Sequence, residues 1–108
     1  MAQKVNIVID QGTTFTTSFT IEDENGTPVD FSVYTANSQM RKSYSSSTSY
    51  TFDTSLSSNG VIILSMSANT TGSITAGRYL YDLEVQDGSG IRSRLVEGIV
   101  TVTPQITR

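Results

Sequence analysis

The stretch AGRYLYDLEVQDGSGIRSRLVEGIVTV, residues 76–102, decides the fold of this 108-residue chain. From Tyr79 to Val85, aromatic or aliphatic side chains occupy every second position. Successive side chains of a strand point to opposite faces, so this pattern predicts a half-buried β-strand. The segment 87–90, Asp-Gly-Ser-Gly, predicts a tight turn into a second long strand that ends near Val102.

Further alternating segments recur along the chain with turn residues between them, at 5–9, 15–21, 34–40, 50–52 and 61–67. Residues 68–77 lack a clear period and predict a crossing loop with one helical turn. No window has the apolar spacing of an amphipathic helix. About seven strands with one apolar face each predict an all-β, two-layer antiparallel immunoglobulin-like sandwich without a disulfide. A small closed barrel is the alternative.

The same alternation predicts a core and two local features. Gly98 lies where the apolar phase of the last strand changes, which predicts a β-bulge there or a strand covered on both faces. Asn25-Gly26 predicts a type I′ hairpin turn. The predicted core residues are Phe15, Phe19, Ile21, Tyr34, Met40, Ile62, Leu64, Tyr79, Tyr81, Leu83 and Val100.

Composition excludes several functional classes. The length suits a single domain over residues 1–108. The net charge of −3 argues against a nucleic-acid partner, which needs a basic face. The longest strictly aliphatic run, 61–64, is far too short for a membrane span, and the N-terminus has no signal-peptide pattern. We therefore expect synthesis in a cytosol and no membrane partner.

The chain has no histidine and no cysteine, so it lacks the commonest general base and metal ligand and any thiolate. The carboxylates cluster at 22–24, before a polar turn, and at Asp82 and Glu84 on one strand face. Neighbouring carboxylates do not face each other across a sugar as glycosidase residues do. We predict no catalytic residues, no metal site and no cofactor, although calcium at Asp23, Glu24 and Asn25 is a conceivable alternative.

Two long segments resemble a known family. Residues 10–43 contain an xQGxTF step followed by a polar turn, and residues 67–104 contain AGxYxYDLE and EGxVTV motifs. Over Ile7 to Thr107, the chain resembles small virion structural proteins of tailed bacteriophages, notably cyanophages. It is also similar to the immunoglobulin-like N-terminal domain of phage baseplate upper proteins. The resemblance implies a non-enzymatic assembly module of the virion, with other virion proteins as partners in a homo-oligomer or repeated array.

Assembly needs polar surface and free strand edges, which the long hairpin and the terminal segments 5–10 and 99–106 could provide. Residues 103–108 are interpreted as a C-terminal arm that reaches a neighbouring subunit. The arginines of the last strand predict either ion pairs with Asp82 or Glu84 or contacts with an acidic partner. The predicted interface residues are Arg92, Arg94, Tyr44, Tyr50, Pro104, Gln105, Ile106 and Arg108.

The sequence leaves three functions open. The first is a structural protein of the phage tail, neck or baseplate. The second is a carbohydrate- or receptor-binding module for a host-surface glycan, for which Tyr44 and Tyr50 in and beside the serine-rich segment 42–49 are the candidate contacts. The third is an outer capsid decoration protein. In that segment, a flexible loop with one packed tyrosine is the alternative to a recognition loop.

Overall fold

The computed structural model describes residues 3–106 and contains two packed β-sheets. The strands are β1 (Gln3–Lys4), β2 (Ile7–Asp10), β3 (Phe15–Thr20), β4 (Thr35–Arg41), β5 (Ser49–Thr51), β6 (Asp53–Leu56), β7 (Val61–Met66), β8 (Gly77–Gln86) and β9 (Arg92–Thr103). The helix α1 spans Ala68–Gly72, within the segment where the sequence predicts one helical turn. The predicted all-β sandwich is confirmed. Within residues 3–106, no helix has the length and apolar character to cross a membrane.

The strands form one sheet of six strands, sheet A, and one of three strands, sheet B. Sheet A has the order β9-β8-β4-β5, and both β1 and β2 pair with the free side of β9. Sheet B has the order β3-β7-β6. This arrangement is that of an immunoglobulin-like sandwich. The prediction of a purely antiparallel sandwich needs one correction, because β1 and β2 run parallel to β9.

The core lies between the two sheets. Of the predicted core residues, seven are buried: Met40, Ile62, Leu64, Tyr79, Tyr81, Leu83 and Val100. Four are only half-buried against the core: Phe15, Phe19, Ile21 and Tyr34. Two of these four belong to β3, which is an edge strand of sheet B and, among residues 3–106, pairs with a strand on one side only. Their incomplete burial therefore follows from the position of the strand.

The predicted bulge exists, but it is not at Gly98. The register of β8 and β9 shifts between Leu83 and Glu84, which leaves Leu95 as the extra residue of β9. Gly98 pairs regularly with Tyr81, and a Cβ atom there would clash with the Val5 carbonyl. This glycine lets the N-terminal segment pass close to β9 between β1 and β2.

Three turns share one pattern of hydrogen bonds. In 23–27, 57–61 and 87–91, the first side chain accepts hydrogen bonds from the amides two and four residues later. The fourth residue of turns 23–27 and 57–61 is Gly26 and Gly60, and each has a positive φ. The predicted type I′ turn at Asn25-Gly26 is wrong, because Asn25 does not adopt a positive φ. The Asp23 side chain instead holds the turn.

Hydroxyl groups fasten the loops to the sandwich. The Tyr79 hydroxyl donates to the Thr75 carbonyl at 2.6 Å, which closes the corner before β8 in the manner of immunoglobulin-like domains. The buried Thr71 hydroxyl donates to the Thr13 carbonyl at 2.7 Å and accepts from the Gly12 amide. These contacts fix α1 against the turn between β2 and β3.

Candidate interaction surface on the outer face of sheet A

The solvent-facing side of sheet A carries a groove of about 560 Å³, which we call the sheet A groove. Strand register places its central side chains in rows, since Gln39 is opposite Asp82 and Asp82 is opposite Glu97. The groove is lined by Lys4, Asn6, Gln39, Arg41, Ser43, Tyr44, Leu80, Tyr81, Asp82, Glu84, Arg94, Glu97, Gly98 and Ile99. Four strands, β1, β4, β8 and β9, therefore contribute to one surface, together with the β1–β2 connection and the loop after β4.

Arg94 connects two carboxylates inside the groove. Its Nε lies 3.4 Å from Asp82 Oδ2, and its Nη1 lies 3.5 Å from Glu97 Oε2. The predicted cross-strand pairing of an arginine with Asp82 is confirmed for this residue. The bulge at Leu95 sets this contact, because it places Arg94 opposite Glu84 in the register and brings it within reach of Asp82.

Partial burial raises the pKa of Asp82 above its ordinary value of 3.8. The negative charges of Glu84 and Glu97 add to this effect, while Arg94 and Arg41 oppose it. The groove therefore holds Asp82 partly dehydrated near two like charges, and Arg94 and Arg41 offset the repulsion. A partner that supplies a further cation or a hydrogen-bond donor would relieve this repulsion.

Charge in the sheet A groove is balanced. Three cationic side chains, Lys4, Arg41 and Arg94, face three anionic side chains, Asp82, Glu84 and Glu97. Leu80 is half-buried beside them, and Ile99 is 37% exposed. The charged side chains that line the groove therefore carry no net charge, and neither of the two signs dominates this surface.

Arg41 was not singled out by its sequence pattern, yet it holds the serine-rich loop in place. Its Nη1 donates to the Ser46 carbonyl at 2.7 Å, and its Nη2 donates to Gln39 Oε1 at 3.0 Å. The loop is thus tied to β4, and Tyr44 lies at the rim of the sheet A groove with 85% of its surface exposed. An arginine directly after an alternating strand is too common a pattern to reveal this role.

The structure separates the two tyrosines that the sequence groups together. Tyr50 is half-buried, and its ring makes an edge contact with Tyr79 at 6.1 Å between centroids. Lys42 Nζ lies 4.7 Å from the centre of the Tyr79 ring. Tyr50 pairs with the buried Met40 and so points inward, whereas Tyr44 points out. The alternative of a loop with one packed tyrosine matches this arrangement.

The remaining predicted interface residues that fall within residues 3–106 lie outside the groove. Arg92 is exposed at the far end of the hairpin, where its Nε donates to Gln86 Oε1 at 3.1 Å. Pro104 is exposed, and Ile106 is 94% exposed. Gln105 is half-buried, and its backbone N–H donates to Gln11 Oε1 at 2.9 Å.

The structure corrects two parts of the prediction for the C-terminal segment. Thr103 belongs to β9 and pairs with Asp10, so a free segment begins no earlier than Pro104. Residues 99–103 are not a free edge, because β9 has β2 on one side and β8 on the other. The prediction for Arg108 falls outside the described residues.

Within residues 3–106, no three acidic side chains are close enough together to hold a metal ion. Asp82 and Glu84 lie on one face of β8, as predicted, and Arg94 pairs with Asp82. The turn formed by 23–27 uses its Asp23 side chain to accept backbone amides. In the structure, Asp82 is thus part of an ion pair and Asp23 stabilises a turn.

Comparison with protein-family models finds no match, and no curated protein matches. Among solved structures, an internalin-like protein of Listeria monocytogenes aligns with 94% of this chain at 17% identity and a TM-score of 0.48. A family 123 glycoside hydrolase of Clostridium perfringens aligns with 97% of it at 11% identity and a TM-score of 0.44. The chain spans 28% and 24% of the length of these two proteins.

Proposed function

We propose that the protein is a non-enzymatic structural component of a tailed-phage virion, which joins the tail, neck or baseplate through contacts made by the sheet A groove. The main support for this contact surface is the exposure of Tyr44. Its side chain is almost fully exposed at the rim of the groove, whose charges are balanced. Tyrosine and arginine are the residues that most often dominate protein interfaces. The resemblance of residues 10–43 and 67–104 to phage virion proteins supports the assignment to a particle.

The first test asks where the protein is found. Purified particles of the phage that encodes the chain are analysed by mass spectrometry and by electron microscopy with a labelled antibody. We expect the protein in intact particles, at the tail, neck or baseplate. Label on the capsid surface would instead favour a decoration protein, and particles without the protein would contradict the proposal.

The second test asks whether the sheet A groove makes the contact. Tyr44→Ala removes an exposed side chain, so we expect a normal fold and incorporation into particles reduced about tenfold. Val33→Ala is a matched control, because Val33 is also exposed, at 71%, but does not line the groove. Equal incorporation of the two variants would contradict a contact through Tyr44.

The C-terminal segment offers a further contact in this proposal. Pro104 and Ile106 are exposed and available to a neighbouring subunit. Deletion of residues 104–108 removes the hydrogen bond from Gln105 to Gln11 and should leave the domain folded, since β9 ends at Thr103. We expect reduced incorporation of the truncated protein. Incorporation at the wild-type level would show that the segment is not an arm.

A carbohydrate-binding function is the second candidate, and the composition of the groove favours it. Tyr44 lines the same groove as the amide and carboxylate groups of Asn6, Gln39 and Asp82. An aromatic ring can stack on a sugar ring, and amides and carboxylates can hydrogen-bond to its hydroxyl groups. Binding of the isolated protein to a glycan array, lost in both Tyr44→Ala and Asp82→Asn, would favour this function. An array without binding would leave the assembly role as the better account.

A further inference from the structure

The edges of the two sheets differ in length and charge. The edge strands β1, β2, β5 and β6 have two to four residues, and three of them carry a charged residue: Lys4, Asp10 and Asp53. The edge strand β3, Phe15–Thr20, has six residues and no charge. Short edges and charged side chains prevent strands of different molecules from pairing. The β3 edge has neither protection.

The register of sheet B shows which backbone groups of β3 face outward. The Ile21 amide donates to the Gly60 carbonyl, so odd-numbered residues of β3 bond to β7. Hydrogen-bonding direction alternates along an antiparallel strand, so the N–H and C=O groups of Thr16, Ser18 and Thr20 point away from β7. Within residues 3–106, no strand pairs with that side of β3.

The side chains next to this edge are also incompletely covered. Phe15 and Phe19 point toward the core but remain half-buried. On the outer face, Thr16, Ser18 and Thr20 are exposed and offer only hydroxyl groups. An added strand would satisfy the outward backbone groups and bury more of both phenylalanine rings.

We propose that β3 pairs antiparallel with β3 of a second copy of this chain, about a two-fold axis at Ser18. This register sets Ser18 against Ser18 of the second copy and Thr16 against Thr20. The three facing pairs would make about six backbone hydrogen bonds, two in each pair. Sheet B would then continue across the two copies as one sheet of six strands, twice the three in each copy.

A second copy fits this edge because the edge is self-complementary. A two-fold contact places each residue against its own counterpart across the axis, so any charge near the axis would repel itself. Residues 11–21 contain no charged residue, although the chain carries a net charge of −3. The outward-facing residues are Thr16, Ser18 and Thr20, an order that is the same in both chain directions. Threonines that face each other across two strands form favourable pairs.

The main test measures self-association by sedimentation velocity over a concentration series. Wild-type protein should form a dimer as concentration rises. Ser18→Lys would place two ammonium groups beside each other at the axis, so we expect association weakened about tenfold or more. Ser55→Lys is the matched control, because Ser55 is exposed on β6 in the same row of sheet B but at its opposite edge.

Three results would overturn the proposal: wild-type protein that stays monomeric at the highest concentration reached, Ser18→Lys that dimerises like wild type, or Ser55→Lys that is weakened equally. Amide exchange of the wild-type protein is a second measurement that needs no variant. The amides of Ser18 and Thr20 should become protected as concentration rises, while those of Thr17 and Phe19 should be protected throughout. Unchanged, rapid exchange at Ser18 in a dimer would also overturn it.

This inference concerns a surface of sheet B and does not depend on the virion role proposed for sheet A. A dimer through β3 would stand even if the protein were absent from particles. In an assembled array, it would add a second contact and hence avidity to the sheet A groove.

Discussion

Sheet A and sheet B meet solvent in different ways. The outer side of β9 in sheet A is covered by the N-terminal strands β1 and β2, and the face of the sheet carries balanced charges. In sheet B, one side of β3 has no partner strand in the described part of the chain, and its outer face carries hydroxyl groups. The N-terminal segment pairs with β9, so the short strands β1 and β2 form this edge of sheet A. The comparison teaches that the burial of Phe15 and Phe19 in β3 is limited by the lack of a neighbouring strand among residues 3–106, although both side chains are apolar.

The largest expected effect compares two phenylalanines. Phe52 is 2% exposed, whereas Phe19 on the open side of sheet B is half-buried. Phe52→Ala should lower the free energy of unfolding by about 3–5 kcal/mol, since it leaves a cavity in the closed core. Phe19→Ala should lower the free energy of unfolding by roughly half as much, because the half-buried ring contributes less buried apolar area. Urea unfolding at a concentration where the protein is monomeric measures both, and equal losses would break the comparison.

The second prediction concerns the N-terminal segment that packs along β9. Gly98→Ala introduces a methyl group against the Val5 carbonyl, so the N-terminal segment must shift away from β9. We expect a loss of about 1–3 kcal/mol in the free energy of unfolding, measured by thermal or urea denaturation. Gly88→Ala is the control, because a Cβ atom there meets nothing within 4 Å. A Gly98→Ala protein as stable as this control would contradict the close approach.

The third prediction tests the hydrogen bond that ties the N-terminal segment to β8. The Tyr81 hydroxyl donates to the Val5 carbonyl at 2.6 Å, and burial raises the pKa of Tyr81 to about 12. Tyr81→Phe should cost about 1 kcal/mol at neutral pH. Ionisation is easier in the unfolded chain, so the wild-type protein should lose this advantage as pH rises from 10 toward 12. Unfolding curves of both proteins at several alkaline pH values check this, and a difference independent of pH would contradict it.

The smallest expected effect lies in the sheet A groove. The pKa of Asp82 is raised in the folded protein, so its contribution to stability is fully present below pH 3.8 and is lost as pH rises through the folded-state pKa. Relative to Asp82→Asn, wild-type protein should therefore become less stable as pH rises above 3.8 through the acidic range. Parallel unfolding measurements of the two proteins would show the trend. A difference that grows in favour of wild type with rising pH would mean that the Arg94 ion pair dominates.

Local patterns in the chain were enough to predict most strands. The alternation from Tyr79 to Val85 reports which side chains face inward, because a strand repeats every two residues. The same signal predicts the buried positions of β7, whereas the lack of a clear period predicts the loop with one helical turn at 68–77. The ion pair of Arg94 with Asp82 was among the predicted alternatives, since both lie on one hairpin.

Contacts between distant segments were not predictable in this way. The bulge at Leu95 depends on the register of two strands, and the apolar phase change at Gly98 only marks its neighbourhood. The roles of Arg41 and Tyr44 depend on the loop 42–49, in which five of the eight residues are serine. Such positions carry no periodic signal, because their partners come from elsewhere in the fold.

The sequence by itself determined the alternating strands, the glycine turns and the absence of histidine and cysteine chemistry. These properties depend on backbone preferences and side-chain types over a few residues. Only the tertiary structure decided that β1 and β2 cover β9, that Phe19 stays half-buried, and that Tyr44 and Tyr50 point in opposite directions. Strand pairing joins residues far apart in the chain, so which edge is closed follows from the packing of the whole domain.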